Sequence, residues 1–189
     1  MKYLIIGLGN PGTEYLETRH NIGFKILDRL ADKYNTKFIV DRHVFYSEIK
    51  YRSRKLILIK PTTYMNLSGK AVNFWTNKLK IPISKILVVT DDIALPTGVL
   101  RIKPKGSDGG HNGLKNINES LSRSDYPRLR FVIGNEYSKG GQSNHVLGNF
   151  NEKEIDKISH SIDLSIDIIQ AFTTLGIDKT MNLYNRKQQ

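Results

Sequence analysis

The chain has 189 residues, 39% of them hydrophobic and 25% charged, a composition typical of one folded domain and not of a disordered segment. It contains no cysteine, which excludes disulfides, thiolate metal sites and cysteine nucleophiles. Its 29 Lys and Arg against 18 Asp and Glu give a net charge of +11, which favours a polyanionic partner such as nucleic acid, although a surface charged only for solubility gives the same excess.

The chain opens with a strand, predicted at residues 3–6, that runs into the glycine-rich segment 7–12. No secretory signal pattern precedes this strand, and no apolar run approaches the roughly 18–20 residues that a membrane helix needs. The expectation is therefore a cytoplasmic protein without membrane attachment.

Helices and strands are predicted to alternate along the rest of the chain. Helical spacing of apolar residues predicts helices at residues 21–34, from Ser68 as the capping residue through Leu79, at 114–121, and at 155–172 with an end near Gly176. Short β-rich runs predict strands at residues 44–50, 55–60, 85–89, 99–103 and 129–133. This alternation predicts a single α/β domain over residues 1–189, with a mostly parallel but mixed twisted central sheet and helices on both faces.

In such folds ligands bind beyond the carboxyl ends of the strands. That rule selects three segments: the loop after Ile6, the loop after Lys60, and Thr90 with the two aspartates that follow it. These segments also carry most of the unusual polar residues of the chain, so they are the expected surroundings of a site.

The segment Gly7 to Gly12 matches G-x-G-x-x-G after a strand, and taken alone it suggests a dinucleotide-binding enzyme. Its context disagrees, because the helical pattern begins only near Asn21 and Asp41 lies farther downstream than the usual ~20 residues. The five histidines show no metal-ligand spacing, and no phosphate loop or nucleophile elbow is present. The sequence therefore predicts neither a cofactor nor a metal.

Three long motifs, in order along nearly the whole chain, closely resemble the bacterial-type peptidyl-tRNA hydrolase family. They are GLGNPGTEY at residues 7–15 with TRHNIG at 18–23, KPTTYMNLSG at 60–69, and DDIALP at 91–96 with GGHNGLK at 109–115. The resemblance implies a single-domain, monomeric enzyme that acts on the acceptor arm and 3′ end of peptidyl-tRNA. The implied reaction is hydrolysis of the ester between the peptide and the 3′-terminal ribose.

The same resemblance implies a role for each matching residue. His20 corresponds to the base that activates water, Asp91 to its orienting partner, and Asn10 to the third member of the catalytic set. Substrate contacts are expected from the residues Tyr15, Met65, Asn66, Gly110 and Asn112. The 5′-phosphate of the tRNA is expected at Lys103 and Arg130. His111 beside Asn112 is expected to lie near the cleft, without an assigned chemistry.

The residue types suit this chemistry independently of the resemblance. An unperturbed histidine, with a pKa of about 6.5, is close to the value needed by a base at neutral pH. Amides offer donors and an acceptor without adding charge, so they suit a peptide backbone or a developing oxyanion. Without these motifs, the preferred interpretation of His20 would be a loop histidine with a structural hydrogen bond, and that of Asp91 a turn residue or helix cap.

Two positions depart from the family pattern. Ala94 stands where an acidic residue is common, and Asn135-Glu136 follows Gly134 where a basic residue and proline are usual. One alternative remains open: a relative on this scaffold that binds RNA or a protein without catalysis, as some plastid splicing cofactors do. The presence of His20 and Asp91 argues for retained catalysis.

Overall fold

The computed structural model describes residues 1–186 as one α/β unit of seven strands and six α-helices. The strands are β1 (Lys2–Gly7), β2 (Ile39–Asp41), β3 (Val44–Tyr51), β4 (Arg54–Pro61), β5 (Ile86–Asp92), β6 (Leu100–Lys103) and β7 (Arg128–Val132). The helices are α1 (Ile22–Lys33), α2 (Ser68–Leu79), α3 (Asn112–Leu121), α4 (Gln142–Val146), α5 (Glu152–Leu175) and α6 (Ile177–Tyr184). None of the helices in this part of the chain is long and apolar enough to cross a membrane.

The strands form one mixed sheet in the order β2-β3-β4-β1-β5-β7-β6. The four central strands β4, β1, β5 and β7 are mutually parallel, and an antiparallel strand or hairpin completes each edge. Parallel central strands end together, so the segments that follow β1, β4, β5 and β7 meet at one edge. The predicted mostly parallel, mixed sheet is confirmed.

Both faces of the sheet are covered, as strands of continuous apolar character require. Alternate residues of β1 face opposite cores, with Tyr3 and Ile5 on one side and Leu4 and Ile6 on the other. Helices α1 and α5 pack on the first face, and α2 and α3 pack on the second. The sequence expectation of helices on both faces is therefore correct.

The glycines of the first loop have a packing role that the hypothesis of a dinucleotide-binding loop does not explain. A Cβ added at Gly7 would lie 2.4 Å from the carbonyl oxygen of Gly23, the second residue of α1. A Cβ at Gly23 would in turn lie 2.6 Å from the carbonyl oxygen of Leu8. The motif therefore lets α1 approach the end of β1 closely, with no anion-binding helix N-terminus inside the glycine loop.

Several local predictions need correction. Ser68 is the first residue of α2 and not its cap, because a short 3-10 turn (Met65–Leu67) precedes it and its hydroxyl donates to the Met65 carbonyl at 2.7 Å. The stretch before α1, expected to be loop, contains 3-10 turns at Thr13–Tyr15 and Arg19–Asn21. The two aspartates expected after β5 are its last residues. Strand β2 and helices α4 and α6 were not predicted as elements.

Candidate active site

A cleft of about 750 Å³ opens where the carboxyl ends of the parallel strands meet. The segments after β1, β4 and β5 line it together with the N-terminal end of α3, one flank of β6 and β7, and part of α4. Nine of the ten residues assigned a role from the sequence line this cleft: Asn10, His20, Met65, Asn66, Asp91, Lys103, Gly110, Asn112 and Arg130.

At the base of the cleft, one buried carboxylate joins two histidines. Asp91 is 3% exposed; its Oδ2 lies 2.8 Å from Nδ1 of His20 and its Oδ1 lies 2.7 Å from Nε2 of His111. The two imidazole centroids are 5.0 Å apart. Residues 20, 91 and 111 are far apart in sequence, so only the fold creates this cluster.

The cluster shifts two pKa values in opposite directions. Burial disfavours charge on His20, but the adjacent Asp91 charge and hydrogen bond outweigh it, and the pKa of His20 is raised above its ordinary value. Burial likewise opposes ionisation of Asp91, yet the charge and hydrogen bonds of His20 and His111 hold the pKa of that carboxyl well below its usual range. Asp91 is therefore the ionised acceptor of the cluster.

The hydrogen bonds of His111 identify its tautomer. Its Nδ1 accepts from the backbone N–H of Gly113 at 3.1 Å and of Leu114 at 3.3 Å, capping α3. Nδ1 therefore carries no proton, and Nε2–H donates to Asp91. Because the ligand atoms of residues 20, 91 and 111 lie within 4.8 Å of one another, a metal is geometrically conceivable. A protonated Nε2, however, is a hydrogen-bond donor and not a metal ligand, so the donor set favours shared protons over a cation.

His20 is held by a contact with a distant part of the chain. The backbone N–H of neighbouring Arg19 donates to the Gly148 carbonyl at 2.8 Å, and its guanidinium bonds the Asn149 carbonyl and Glu154, the latter at 2.8 Å. An isolated β-bridge joins Thr18 to Asn149. The segment carrying the histidine is thus fixed to the start of α5, where the cation of Arg19 also lies 5.1 Å from the Phe150 ring centroid.

The amide of Asn10 is oriented by its surroundings. Its Oδ1 accepts from the backbone N–H of Met65 at 2.7 Å, and its own backbone exchanges two hydrogen bonds with the side chain of Asn21. Because the oxygen is engaged, the Nδ2 group remains available as a donor, and it has no protein partner among residues 1–186. Asn10 is buried, so this donor is held in a nearly fixed place beside the histidine cluster.

The predicted substrate-contacting residues lie at different depths. Met65 is buried in the cleft wall, whereas Asn66 and Asn112 are exposed at its mouth. Gly110 has φ 82°, a left-handed conformation that favours glycine, and open space surrounds the position of a Cβ. Tyr15 is not among the lining residues. It packs edge-on against Tyr64, with ring centroids 6.4 Å apart, and Tyr64 lines the cleft in its place.

The predicted phosphate-binding residues lie on paired strands at one flank of the cleft. Lys103 on β6 pairs in register with Arg128 on β7, and Arg101 pairs with Arg130. Arg130 forms an ion pair with Asp92, the residue after Asp91. Arg128 is 1% exposed and donates to the carbonyls of Ser107 at 3.0 Å and Ser124 at 2.8 Å, which fixes the loop that leads to His111.

Sequence reasoning assigned no chemistry to His111, which gave no spacing signal, and selected Asp92 only as part of the segment expected after β5. It also interpreted Arg128 as one of several residues that could extend the basic surface, whereas the side chain is buried. Of the departures from the family pattern, Ala94 lines the cleft, whereas Asn135 and Glu136 do not. The His20–Asp91 contact is present with these departures in the sequence.

Fold and cleft together define an α/β protein with a histidine–aspartate–histidine cluster at the carboxyl edge of its parallel strands. Comparison with known proteins identifies its class as a hydrolase. The sequence profile of the peptidyl-tRNA hydrolase family matches residues 4–189, and the chain belongs to this family.

Full-length relatives support the assignment. The peptidyl-tRNA hydrolase of Phocaeicola vulgatus is 51% identical over 187 residues, covering 99% of this chain and all of that protein. That of Cytophaga hutchinsonii is 50% identical over 188 residues, covering both proteins completely. The crystal structure of peptidyl-tRNA hydrolase from Acinetobacter baumannii, 36% identical, superposes with a TM-score of 0.91 over 97% of this chain and 94% of that one.

Proposed function

We propose that this protein hydrolyses the ester bond between the peptide and the 3′-terminal ribose of peptidyl-tRNA, and so recycles tRNA from prematurely released peptidyl-tRNA. The observation that carries the proposal is the hydrogen-bonded chain from His111 through Asp91 to His20 in the main cleft. Family membership supplies the substrate, and this cluster supplies the chemistry.

In the proposed mechanism His20 is the general base. Asp91 accepts a hydrogen bond from Nδ1–H of His20, which leaves Nε2 unprotonated and without a protein partner within residues 1–186. Nε2 takes a proton from a water molecule as the water oxygen attacks the ester carbonyl. The ionised Asp91 stabilises the imidazolium that forms. The proton then passes to the ribose oxygen as its bond to the carbonyl carbon breaks, which leaves the ribose as a free hydroxyl.

Amides handle the remaining polar groups of the reaction. The fixed Nδ2 of Asn10 is suited to donate to the oxyanion that develops on the carbonyl oxygen. Asn66 and Asn112, at the mouth of the cleft, are proposed to bind the peptide backbone and the terminal ribose. Met65 supplies an apolar wall, Gly110 allows close approach of substrate, and Tyr15 acts through its contact with Tyr64.

The tRNA is proposed to approach over the basic flank of β6 and β7. Lys103 and Arg130 line the same cleft as the catalytic cluster and form the proposed clamp for the 5′-phosphate of the acceptor arm. The net charge of +11 adds long-range attraction for RNA. We further propose that the protein works as a cytoplasmic monomer without metal or cofactor.

Release of peptide from N-blocked aminoacyl-tRNA by the pure protein, with and without EDTA, tests this function. Full activity in EDTA and a large loss in His20→Ala are expected, with His160→Ala on the exposed face of α5 as the matched control. Tight tRNA binding with no peptide release would instead identify a non-catalytic RNA-binding relative. Activity restored only by added metal would contradict the proton-sharing assignment of the cluster.

A comparison of substrates tests the clamp separately. Lys103→Ala with Arg130→Ala should raise KM for full tRNA and flatten its salt dependence by about 0.7–0.9 per phosphate contact. The same double variant should behave like wild type on a minimal substrate without a 5′-phosphate. Equal losses on both substrates would show that these residues act elsewhere.

A further inference from the structure

The proposed phosphate-binding arginine already has an anionic partner within the chain. Nε of Arg130 donates to Oδ2 of Asp92, and Nη2 forms an ion pair with the same oxygen. The pair is only partly accessible, with the Asp92 side chain 14% and the Arg130 side chain 26% exposed. The second carboxylate oxygen, Oδ1, accepts from the backbone N–H of Ala94 at 2.7 Å, which holds Asp92 in place.

This ion pair reduces the positive charge and the hydrogen-bond donors that Lys103 and Arg130 together present to a phosphate. The Nε/Nη2 edge is one of the two edges through which an arginine binds an anion with two parallel hydrogen bonds, and here Asp92 occupies it. Lys103, in contrast, has no carboxylate partner in the described part of the chain. The clamp therefore presents one free cation and one neutralised cation, with a carboxylate beside the phosphate position.

We propose that Asp92 is a built-in counter-ion that weakens the grip on the 5′-phosphate and so allows the product tRNA to leave. The inference rests on the proposed clamp at Lys103 and Arg130. A phosphate that contacts Arg130 must share that cation with Asp92 and is repelled by the carboxylate.

The chemistry of the reaction explains why weaker binding of the 5′-phosphate would be an advantage. Ester cleavage occurs at the 3′ end, so the 5′-phosphate is the same in substrate and product. Any grip on it stabilises the bound substrate, the transition state and the bound product alike, and adds nothing to the chemical step. A stronger clamp would therefore slow release of deacylated tRNA without accelerating hydrolysis.

Asp92→Asn is the direct test, because it removes the charge while keeping an amide oxygen that can accept from the Ala94 N–H, as Oδ1 of Asp92 does. The NH₂ group of the amide then stands where Oδ2 accepted from Arg130. Equilibrium binding of deacylated tRNA is measured for a 5′-phosphorylated form and for the same tRNA after phosphatase treatment. We expect about tenfold tighter binding of the phosphorylated tRNA, the effect of one unit charge a few ångströms away at the protein surface. Binding of the dephosphorylated tRNA should change less than about twofold, and product inhibition should begin at correspondingly lower tRNA concentrations.

The chain offers a matched control in a second arginine–aspartate pair. Asp125 contacts Arg123 through two hydrogen bonds of 2.7 Å on an exposed surface, and neither residue lines the cleft. Asp125→Asn raises the net charge by the same amount and should not distinguish the two tRNAs. Asp92→Ser is a second charge-removing variant that retains an oxygen for the Ala94 N–H, and thermal unfolding checks that both variants fold.

Each other outcome overturns the inference. Weaker binding in Asp92→Asn would mean that Asp92 holds Arg130 in its binding position, and unchanged binding would mean that its charge is not felt. Equal tightening toward both tRNAs would be a general charge effect. If wild-type protein does not distinguish the two tRNAs, the clamp fails and this inference fails with it. The two tRNA-binding measurements involve no hydrolysis, so either failure leaves the proposed activity unaffected.

Discussion

Replacing Asp91 by asparagine should disable His20 by way of His111. Because Nδ1 of His111 accepts two backbone hydrogen bonds, its Nε2 must donate. The Thr90 hydroxyl oxygen lies 3.0 Å from Nε2, but the contact with position 91 is shorter, at 2.7 Å, so we expect an amide at position 91 to turn its oxygen toward that donor. The NH₂ group of the new amide then faces Nδ1 of His20 and forces that nitrogen to accept. The proton of the neutral imidazole moves to Nε2, the atom that has to accept the proton of water.

The magnitude follows from two effects. Restoring the productive tautomer would leave a buried N–H facing an NH₂ group, which costs about 2–3 kcal/mol. Loss of the carboxylate charge removes the stabilisation of the imidazolium, about 1–2 pKa units or roughly 1.4–2.8 kcal/mol. Together these give about 3.5–6 kcal/mol, so kcat should fall about 300-fold to 10⁴-fold while KM changes little.

A second substitution should partly reverse the defect. His111→Asn keeps a side-chain oxygen that can cap α3 but removes the donor that reaches position 91. The amide introduced by Asp91→Asn is then free to turn its oxygen toward His20 and restore the productive tautomer. In steady-state assays on blocked aminoacyl-tRNA, we expect the double variant to exceed Asp91→Asn by about tenfold or more, although His111→Asn alone lowers activity modestly.

Two results would refute this reasoning. A double variant no more active than Asp91→Asn would show that His111 does not control the orientation of the amide. Retention of kcat within about tenfold in Asp91→Asn would show that Asp91 does not orient the base. Circular dichroism and thermal unfolding of all three variants distinguish these results from a loss of fold.

Four further predictions concern the base, the substrate and the packing. His20→Ala should lower kcat by about 10²–10⁴, the range for loss of a general base, while tRNA binding measured by filter retention persists. His20 must be unprotonated to act as a base and its pKa is raised, so kcat/KM should fall as the pH decreases through a value above the pKa of an ordinary histidine. A fall in kcat/KM that begins only below the pKa of an ordinary histidine would contradict the interaction with Asp91. Blocked aminoacyl-tRNA should be cleaved and free aminoacyl-tRNA largely spared. The neutral amides of Asn10, Asn66 and Asn112 offer no compensation for the lost hydration of a charged α-amino group. Equal rates on the two substrates would refute this role of the amides. Gly7→Ala should lower the free energy of unfolding by about 1–3 kcal/mol in urea titrations, because its methyl group would overlap the Gly23 backbone; unchanged stability would show that α1 shifts without cost.

Much of the fold was predictable because it rests on local patterns. The continuous apolar run of β5 and the helical spacing in α1 and α5 each reflect burial that periodicity records directly. Helix α4 has only five residues and no apolar face, so periodicity carries no signal there. Ser68 misled the prediction because the preceding 3-10 turn directs its hydroxyl backward, a detail of backbone geometry that composition does not encode.

Local sequence patterns predicted less of the candidate site than of the fold. Periodicity cannot relate His20 to Asp91, which lie 71 residues apart, so their pairing came from the resemblance of the motifs and is now visible as a contact of 2.8 Å. Neither source revealed the double hydrogen bonding of His111. Its importance depends on which nitrogen caps α3 and which one reaches the carboxylate, and both follow only from three-dimensional placement. The catalytic roles of these residues stay predictions for the experiments above.

The attachment of Arg19 to the start of α5 has a consequence for the newborn chain. The residue next to the base is fixed by Gly148, Asn149 and Glu154, which are synthesised about 130 positions later. Strand β7 also comes late, yet it lies between β5 and β6 and completes the sheet beside Asp91. A growing polypeptide therefore has no fixed position for the base until the beginning of α5 has left the ribosomal exit tunnel. The histidine–aspartate–histidine cluster should thus assemble as a late and abrupt event of biosynthesis.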